Sequence, residues 1–188
     1  MILTMNDISQ AICDLVSILD KFNIRYFIGG SLSSSLNGIF RSTNDIDVVL
    51  ENSINDLVVK ELEEKFLVDA TKLRESHSRN RAFNIFHENT ALKFDLFPAY
   101  NDFHASQLDR AISVKLPSAL CAFRVASPED IILAKLVWIS KAPSERQLSD
   151  IKGVLNTNRD SIDFDYLNSW AEKLKIGAQL KEIVAGEV

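Results

Sequence analysis

Apolar residues at Ile8, Ile12, Leu15, Val16 and Leu19 recur at helical spacing, so residues 7–22 are predicted to form an amphipathic first helix, with Thr4 or Asn6 to cap it. Arg25 to Ile28 (RYFI) is short, aromatic and β-branched, and Gly29-Gly30 closes it before SLSSSLNG; this predicts a strand, a tight turn and a short helix. A polar loop from Arg41 to Asn44 leads into DIDVVL, Asp45 to Leu50, where carboxylates alternate with Ile46, Val48 and Leu50. That alternation is a strand with one acidic face. Ser53 to Phe66 alternates at helical spacing, with Ser53 as the expected N-cap and Asp56 completing a capping box. AFNIF (Ala82 to Phe86) and ALKFDLF (Ala91 to Phe97), joined by HENT, predict a β-hairpin.

Beyond the hairpin, AISVKL (Ala111 to Leu116) predicts a further strand, and Leu120 to Val125 fits either a strand or an extended connector. Ser127-Pro128-Glu129-Asp130 is a helix start, with serine as cap, proline at the first position and two acids in the first turn. Further helices are predicted from Ser144 to Leu155, Tyr166 to Leu174 and Ala178 to Val184. The expected architecture is α/β (α+β): a core over residues 1–116 and a helical C-terminal part over 117–188 packed on it.

The chain has 188 residues, of which 46% are hydrophobic and 25% charged, which excludes disordered and fibrous classes. The longest near-apolar run, Ile131 to Ile139, contains Lys135 and is far short of the ~20 residues of a membrane span. No membrane partner is expected. The N-terminal residues lack the pattern of a secretory signal, so a cytoplasmic location is expected. Cys13 and Cys121 lie far apart with no CxxC pair, and are expected to be buried free thiols. The net charge of −5 disfavours a broad basic surface for nucleic acid and leaves room for a small anionic substrate.

The candidate chemistry begins at Asp45 and Asp47. A period of two puts both carboxylates on one strand face, about 6 to 7 Å apart at the backbone. Side by side they repel, unless a divalent cation such as Mg2+ neutralises them; solvated acids on an edge strand are the plain alternative. Asp95 interrupts the apolar ALKFDLF strand on the face opposite Leu92, Phe94 and Leu96. If that strand lies beside Asp45 to Leu50, three carboxylates gather into a cluster able to hold two metals. A salt bridge from Asp95 to Lys93, Arg79 or Arg81 is the structural alternative.

Gly29-Gly30-Ser31, between a strand and a helix, offers flexible backbone to an anion, and a plain turn otherwise. Lys135 either snorkels to the surface or meets nucleotide phosphate. Arg146 and Asp150 form an ordinary i,i+4 pair, Arg146 being the better candidate for a ligand contact. His77, His87 and His104 show no metal-binding spacing. Ser33, Ser34 and Ser35 lack a nucleophile elbow and are read as a small-residue helix face. Phe83, Phe86, Phe94 and Phe97 are read as core.

A Gly-Gly-Ser turn at Gly29-Gly30-Ser31, an Asp-x-Asp at Asp45-Ile46-Asp47 and a later strand acid at Asp95 together resemble the signature of the DNA polymerase β-like nucleotidyltransferase superfamily. The wider context, YFIGGSLSSSLNGIFRSTNDIDVVL with KFDLF and SPEDIILAKL, is most similar to its small bacterial branch of abortive-infection and toxin-type nucleotidyltransferases. Arg41 and Thr43 match that branch's R-x-T-x-D-[IL]-D pattern. The likeness spans roughly Tyr26 to Asp150.

The resemblance implies a nucleotidyltransferase-like mixed sheet flanked by helices. It implies Asp45, Asp47 and Asp95 as catalytic metal ligands, with Mg2+ in a two-metal site and Mn2+ as a substitute. Gly29, Gly30, Ser31, Arg41, Thr43, Lys135 and Arg146 would bind the nucleotide. The implied reaction moves a nucleoside monophosphate from an NTP to an acceptor hydroxyl on a protein, an RNA or a small molecule. An inactive relative, acting as a nucleotide sensor or as a toxin–antitoxin-like protein partner, is the alternative.

Overall fold

The hydrophobic periodicities resolve into two compact units in a computed structural model that describes residues 4–38, 43, 45–51, 54–115 and 120–186. The first unit comprises Met1–Gly29 and Thr43–Val125, the second Gly30–Ser42 and Ala126–Val188. The last strand of the sheet is therefore grouped with residues before 116, and the segment after Gly29 with the C-terminal helices.

In the first unit, helix α1 (Met5–Lys21) opens with a capping box: Thr4 Oγ1 accepts from the Asp7 amide, and Asp7 Oδ2 accepts from the Thr4 amide. The Thr4 hydroxyl, which donates to Asp7 Oδ2 at 2.6 Å, and the Thr4 amide hold the Asp7 carboxyl below its ordinary range. Its apolar stripe, Ile12, Leu15, Val16 and Leu19, is buried as the spacing predicts. The chain continues through β1 (Tyr26–Ile28), β2 (Asp45–Leu50), α3 (Asp56–Leu62), β3 (Phe66–Leu67), α4 (Ala70–Ser78), β4 (Phe83–His87), β5 (Lys93–Pro98), α5 (Asp102–Arg110), β6 (Ile112–Val114) and β7 (Phe123–Val125). Among the described residues the strands form one mixed sheet in the order β3-β4-β5-β2-β1-β7-β6.

The expected hairpin is β4–β5, antiparallel, and β5 runs parallel to β2 on its other side. Leu50, Ile46, Ile85 and Phe94 fill the core face and are fully buried.

Several details depart from the sequence expectations. The expected cap Ser53 lies outside the described residues; Asn55 caps α3, accepting from the amides of Leu57 and Val58. Helix α3 ends at Leu62, and Phe66 instead begins an edge strand. Helices α4 and α5 carry caps of their own, Asp69 and Asn101. Cys13 and Cys121 are not free thiols: they form a disulfide with a Cα separation of 5.7 Å across 108 residues. Helix α1 packs against β7, which brings the two sulfurs together where sequence spacing shows only distance.

Phe83 and Phe94 are core, but Phe86 and Phe97 occupy the opposite sheet face, because period two alternates along each strand. His87 is buried, with Nδ1 2.9 Å from Thr90 Oγ1 and Nε2 3.1 Å from Asp14 Oδ2.

The second unit is helical: α2 (Gly30–Asn37), α6 (Pro128–Lys141), α7 (Glu145–Asn158), α8 (Phe164–Lys173) and α9 (Gly177–Ala185). Ser127 caps α6 with Pro128 in the first turn, as predicted, and Ser144 caps α7. Helix α2 comes so close to α7 that a Cβ on Gly38 would stand 3.0 Å from backbone atoms of Gly153 and Val154. Asn158 Nδ2 donates to the Asn37 carbonyl at that crossing. Ser33, Ser34 and Ser35 are all buried, and Ser33 Oγ donates to the Ala126 carbonyl at 3.4 Å. Among the described residues no helix is long and apolar enough to cross a membrane.

Candidate active site

The parallel register of β2 and β5 sets Asp47 opposite Asp95 and Asp45 opposite Lys93. Both strands bury every second residue, so the three carboxylates and Lys93 share the sheet face away from the core. Strand β4 extends that face: Asn84 is the register partner of Asp95, and Phe86, 42% exposed, is the partner of Lys93.

The cluster holds its own counter-charge. Lys93 Nζ is 2.7 Å from Asp95 Oδ2 and 3.8 Å from Asp45 Oδ2. Asn84 Nδ2 donates to Asp95 Oδ1 at 2.6 Å, so both oxygens of Asp95 are engaged. The hydrogen bond to Asp95 holds the Lys93 ammonium above the ordinary lysine range, and the charges of Asp95, Asp45 and Asp47 add to it against the cost of burial. The salt bridge that the sequence allows between Asp95 and Lys93 is therefore formed, inside the carboxylate cluster and not instead of it. Thr43 Oγ1 lies 3.0 Å from both the carbonyl oxygen and Oδ1 of Asp45, fixing the start of β2.

The Gly-Gly turn meets the same strand, since the Gly29 amide donates to the Asp47 carbonyl at 2.9 Å. Gly30 follows at φ +55°, in the left-handed region that favours glycine, and Ser31 continues into α2. Arg41 lies outside the described residues. In the helical unit Lys135 does not snorkel: it is 6% exposed and donates to Asp150 Oδ2 at 2.8 Å and to Gln147 Oε1 at 2.7 Å. Asp150 thus faces Lys135 across two helices, and the expected i,i+4 bond from Arg146 is replaced by it; Arg146 is exposed on α7.

Asn84 escaped the sequence reading. Its one signal is its place in FNIF, a polar residue on the outward period of a strand, two residues from Phe86.

Among the described residues no three His, Cys, Asp or Glu side chains stand ready to hold a metal ion as arranged. Three carboxylates, oxygen donors of the kind a hard divalent cation takes, share one face on adjacent strands, with the Lys93 ammonium lying against Asp95 and near Asp45.

The fold is similar to that of a solved nucleotidyltransferase-like protein. An antigenic nucleotidyltransferase-like protein from Paracoccidioides brasiliensis aligns over 97% of this chain and 94% of its own, at 15% identity and a TM-score of 0.54. The antibiotic-resistance factor ANT(2'')-Ia aligns over 95% of this chain and 93% of its own, at 17% identity and a TM-score of 0.48. No curated protein matches the chain. Residues 4–183 match the family described as "Nucleotidyltransferase of unknown function (DUF6036)", and the chain belongs to that family.

Proposed function

We propose that the protein transfers a nucleoside monophosphate from an NTP to an acceptor hydroxyl, with release of pyrophosphate and dependence on Mg2+, Mn2+ serving in its place. The observation that carries this reading is the register pair Asp47–Asp95 with Asp45 on the same face. Membership of a nucleotidyltransferase family supports it.

Asp45, Asp47 and Asp95 would hold the metal. A divalent cation so bound would polarise the α-phosphate and acidify the acceptor hydroxyl. The chain's own part is to position and neutralise. The Gly29 amide, by bonding the Asp47 carbonyl, ties the Gly-Gly turn to the strand that bears the carboxylates. Gly30 and Ser31, at the opening of α2, would receive the triphosphate, Gly30 in a left-handed conformation that glycine adopts at no steric cost. Thr43 keeps Asp45 in place, and Arg41 and Arg146 are the cations assigned to the nucleotide. The Lys135 ammonium bonds Asp150 and Gln147, so a contact from it to the nucleotide would have to compete with those bonds. In the reaction the acceptor oxygen bonds to the α-phosphorus, the bond to the bridging oxygen breaks, pyrophosphate leaves and the hydroxyl proton passes to water.

Label transfer from each α-labelled NTP with Mg2+, using the purified protein and an extract of its source cells, tests this reading. A labelled product made by the wild type and absent with Asp45→Ala/Asp47→Ala is expected, and its mobility sorts protein, RNA and small-molecule acceptors. Absence of both product and Mg2+-dependent NTP binding would overturn the proposal.

A further inference from the structure

Two like charges directly opposite on neighbouring strands destabilise a sheet, and here a third stands two residues away on the same face. The strand pair is nevertheless regular in register from Asp45↔Lys93 to Leu50↔Pro98. What offsets the repulsion is a side chain of the same strand as Asp95: Lys93, with Nζ seated between Asp95 Oδ2 and Asp45 Oδ2. Lysine at this position follows from the period of two, which aims residue 93 at the face that bears Asp95. An ammonium and a hard divalent cation want the same oxygens.

We propose that Lys93 is an internal counter-cation that occupies the carboxylate cluster of the metal-free protein and must release Asp95 and Asp45 before these can ligate a divalent ion. This deepens the reading above and rests on Asp45, Asp47 and Asp95 being the metal-binding carboxylates. Lys93 then sets the metal affinity of the site. Its stem is anchored on a central strand, so on release its ammonium stays within a side chain's length of the cluster, next to the exposed ring of Phe86. The free protein is thereby spared a naked three-carboxylate cluster, and metal occupancy is held back until a ligand that brings further anionic oxygens, such as a triphosphate, tips the competition.

The test is Mn2+ binding to the full chain in the absence of nucleotide, followed by calorimetry and by the electron-spin signal of free Mn2+. Lys93→Met is expected to bind Mn2+ about tenfold more tightly than wild type, the size expected for removing one unit charge a few ångströms from the ion at a partly exposed site. Lys93→Arg, which keeps the charge, is expected to stay near wild type.

Because Lys93→Met removes the counter-charge of the metal-free cluster and with it part of the fold's stability, a second measurement uses the wild type alone. The 15Nζ resonance of Lys93 should move from a hydrogen-bonded position towards that of free lysine as Mg2+ is added. Equal or weaker Mn2+ binding by Lys93→Met, or an unmoved Lys93 resonance in a protein that does bind Mg2+, overturns the role of Lys93 and leaves the metal site standing. Failure of wild type and both variants to bind either metal overturns the metal site along with it.

Discussion

Lys135 and Asp150 are joined between α6 and α7 by an ion pair of 2.8 Å in which both side chains are more than nine-tenths buried. A buried charge that loses its partner costs far more than the pair contributes, because the survivor is desolvated and uncompensated. Lys135→Met should therefore lower stability by about 3 kcal/mol or more. The double replacement Lys135→Met/Asp150→Leu should recover most of that loss. Urea unfolding of the three proteins checks the pattern; a single replacement as mild as a surface one would mean that water reaches the pair.

Asp47 stands opposite Asp95, a like charge that contributes nothing to the pairing of the two strands, and on the proposed reading its carboxylate belongs to the metal site. Asp47→Asn should cut nucleotidyl transfer by about 10²-fold or more, the scale of losing one electrostatic contact in an active site. The same variant should keep the wild-type melting temperature in metal-free buffer. Rates and melts measured on one preparation separate the two effects, and retained transfer would remove Asp47 from the machinery.

Two histidines act as neutral acceptors for backbone amides: His77 Nε2 for Ile54 and His104 Nδ1 for Tyr100. Burial lowers the pKa of each below the ordinary 6.5. A histidine whose folded pKa is depressed binds fewer protons folded than unfolded, so stability rises with pH across that window. Their contribution is whole above pH 6.5 and is lost as the pH falls from there through the folded values. Denaturant midpoints should fall as the pH drops from about 7.5 to about 5.5, and His104→Phe should flatten part of that slope. A midpoint that rises on acidification would contradict the assignment.

The Cys13–Cys121 bond closes a loop of 108 residues. In the chain-entropy account a loop of that size stabilises the fold by about 4 to 5 kcal/mol, through the unfolded chain it restricts. Reduction, or Cys13→Ala/Cys121→Ala, should lower the unfolding midpoint accordingly. Denatured, unreduced protein should take up no maleimide; uptake at two sites would show free thiols.

What the sequence made legible follows from what leaves a periodic trace. Helix α1, the hairpin β4–β5 and the start of α6 could all be read, because an apolar stripe, an alternation or a Ser-Pro-Glu-Asp cap announces each. Helix α4 buries Leu73 alone among its residues and so carries no stripe; its trace is the cap Asp69. Period two put Asp45, Asp47 and Asp95 on outward faces, and the step from there to one cluster needed the register of β2 against β5, a long-range fact. The partners of Lys135 and of Cys13 were hidden for the same reason: both are chosen by tertiary packing, at separations where local pattern is silent.

The sheet unit is assembled from two stretches of chain, with residues 30–42 leaving it between them. Cys13 lies in the first stretch and Cys121 at the end of the second. A backbone cut anywhere in residues 30–42 would therefore yield two fragments that travel as one species on a non-reducing gel and as two on a reducing gel. The sulfur bridge thus gives this unit a second covalent connection, independent of the backbone that leaves it between its two stretches.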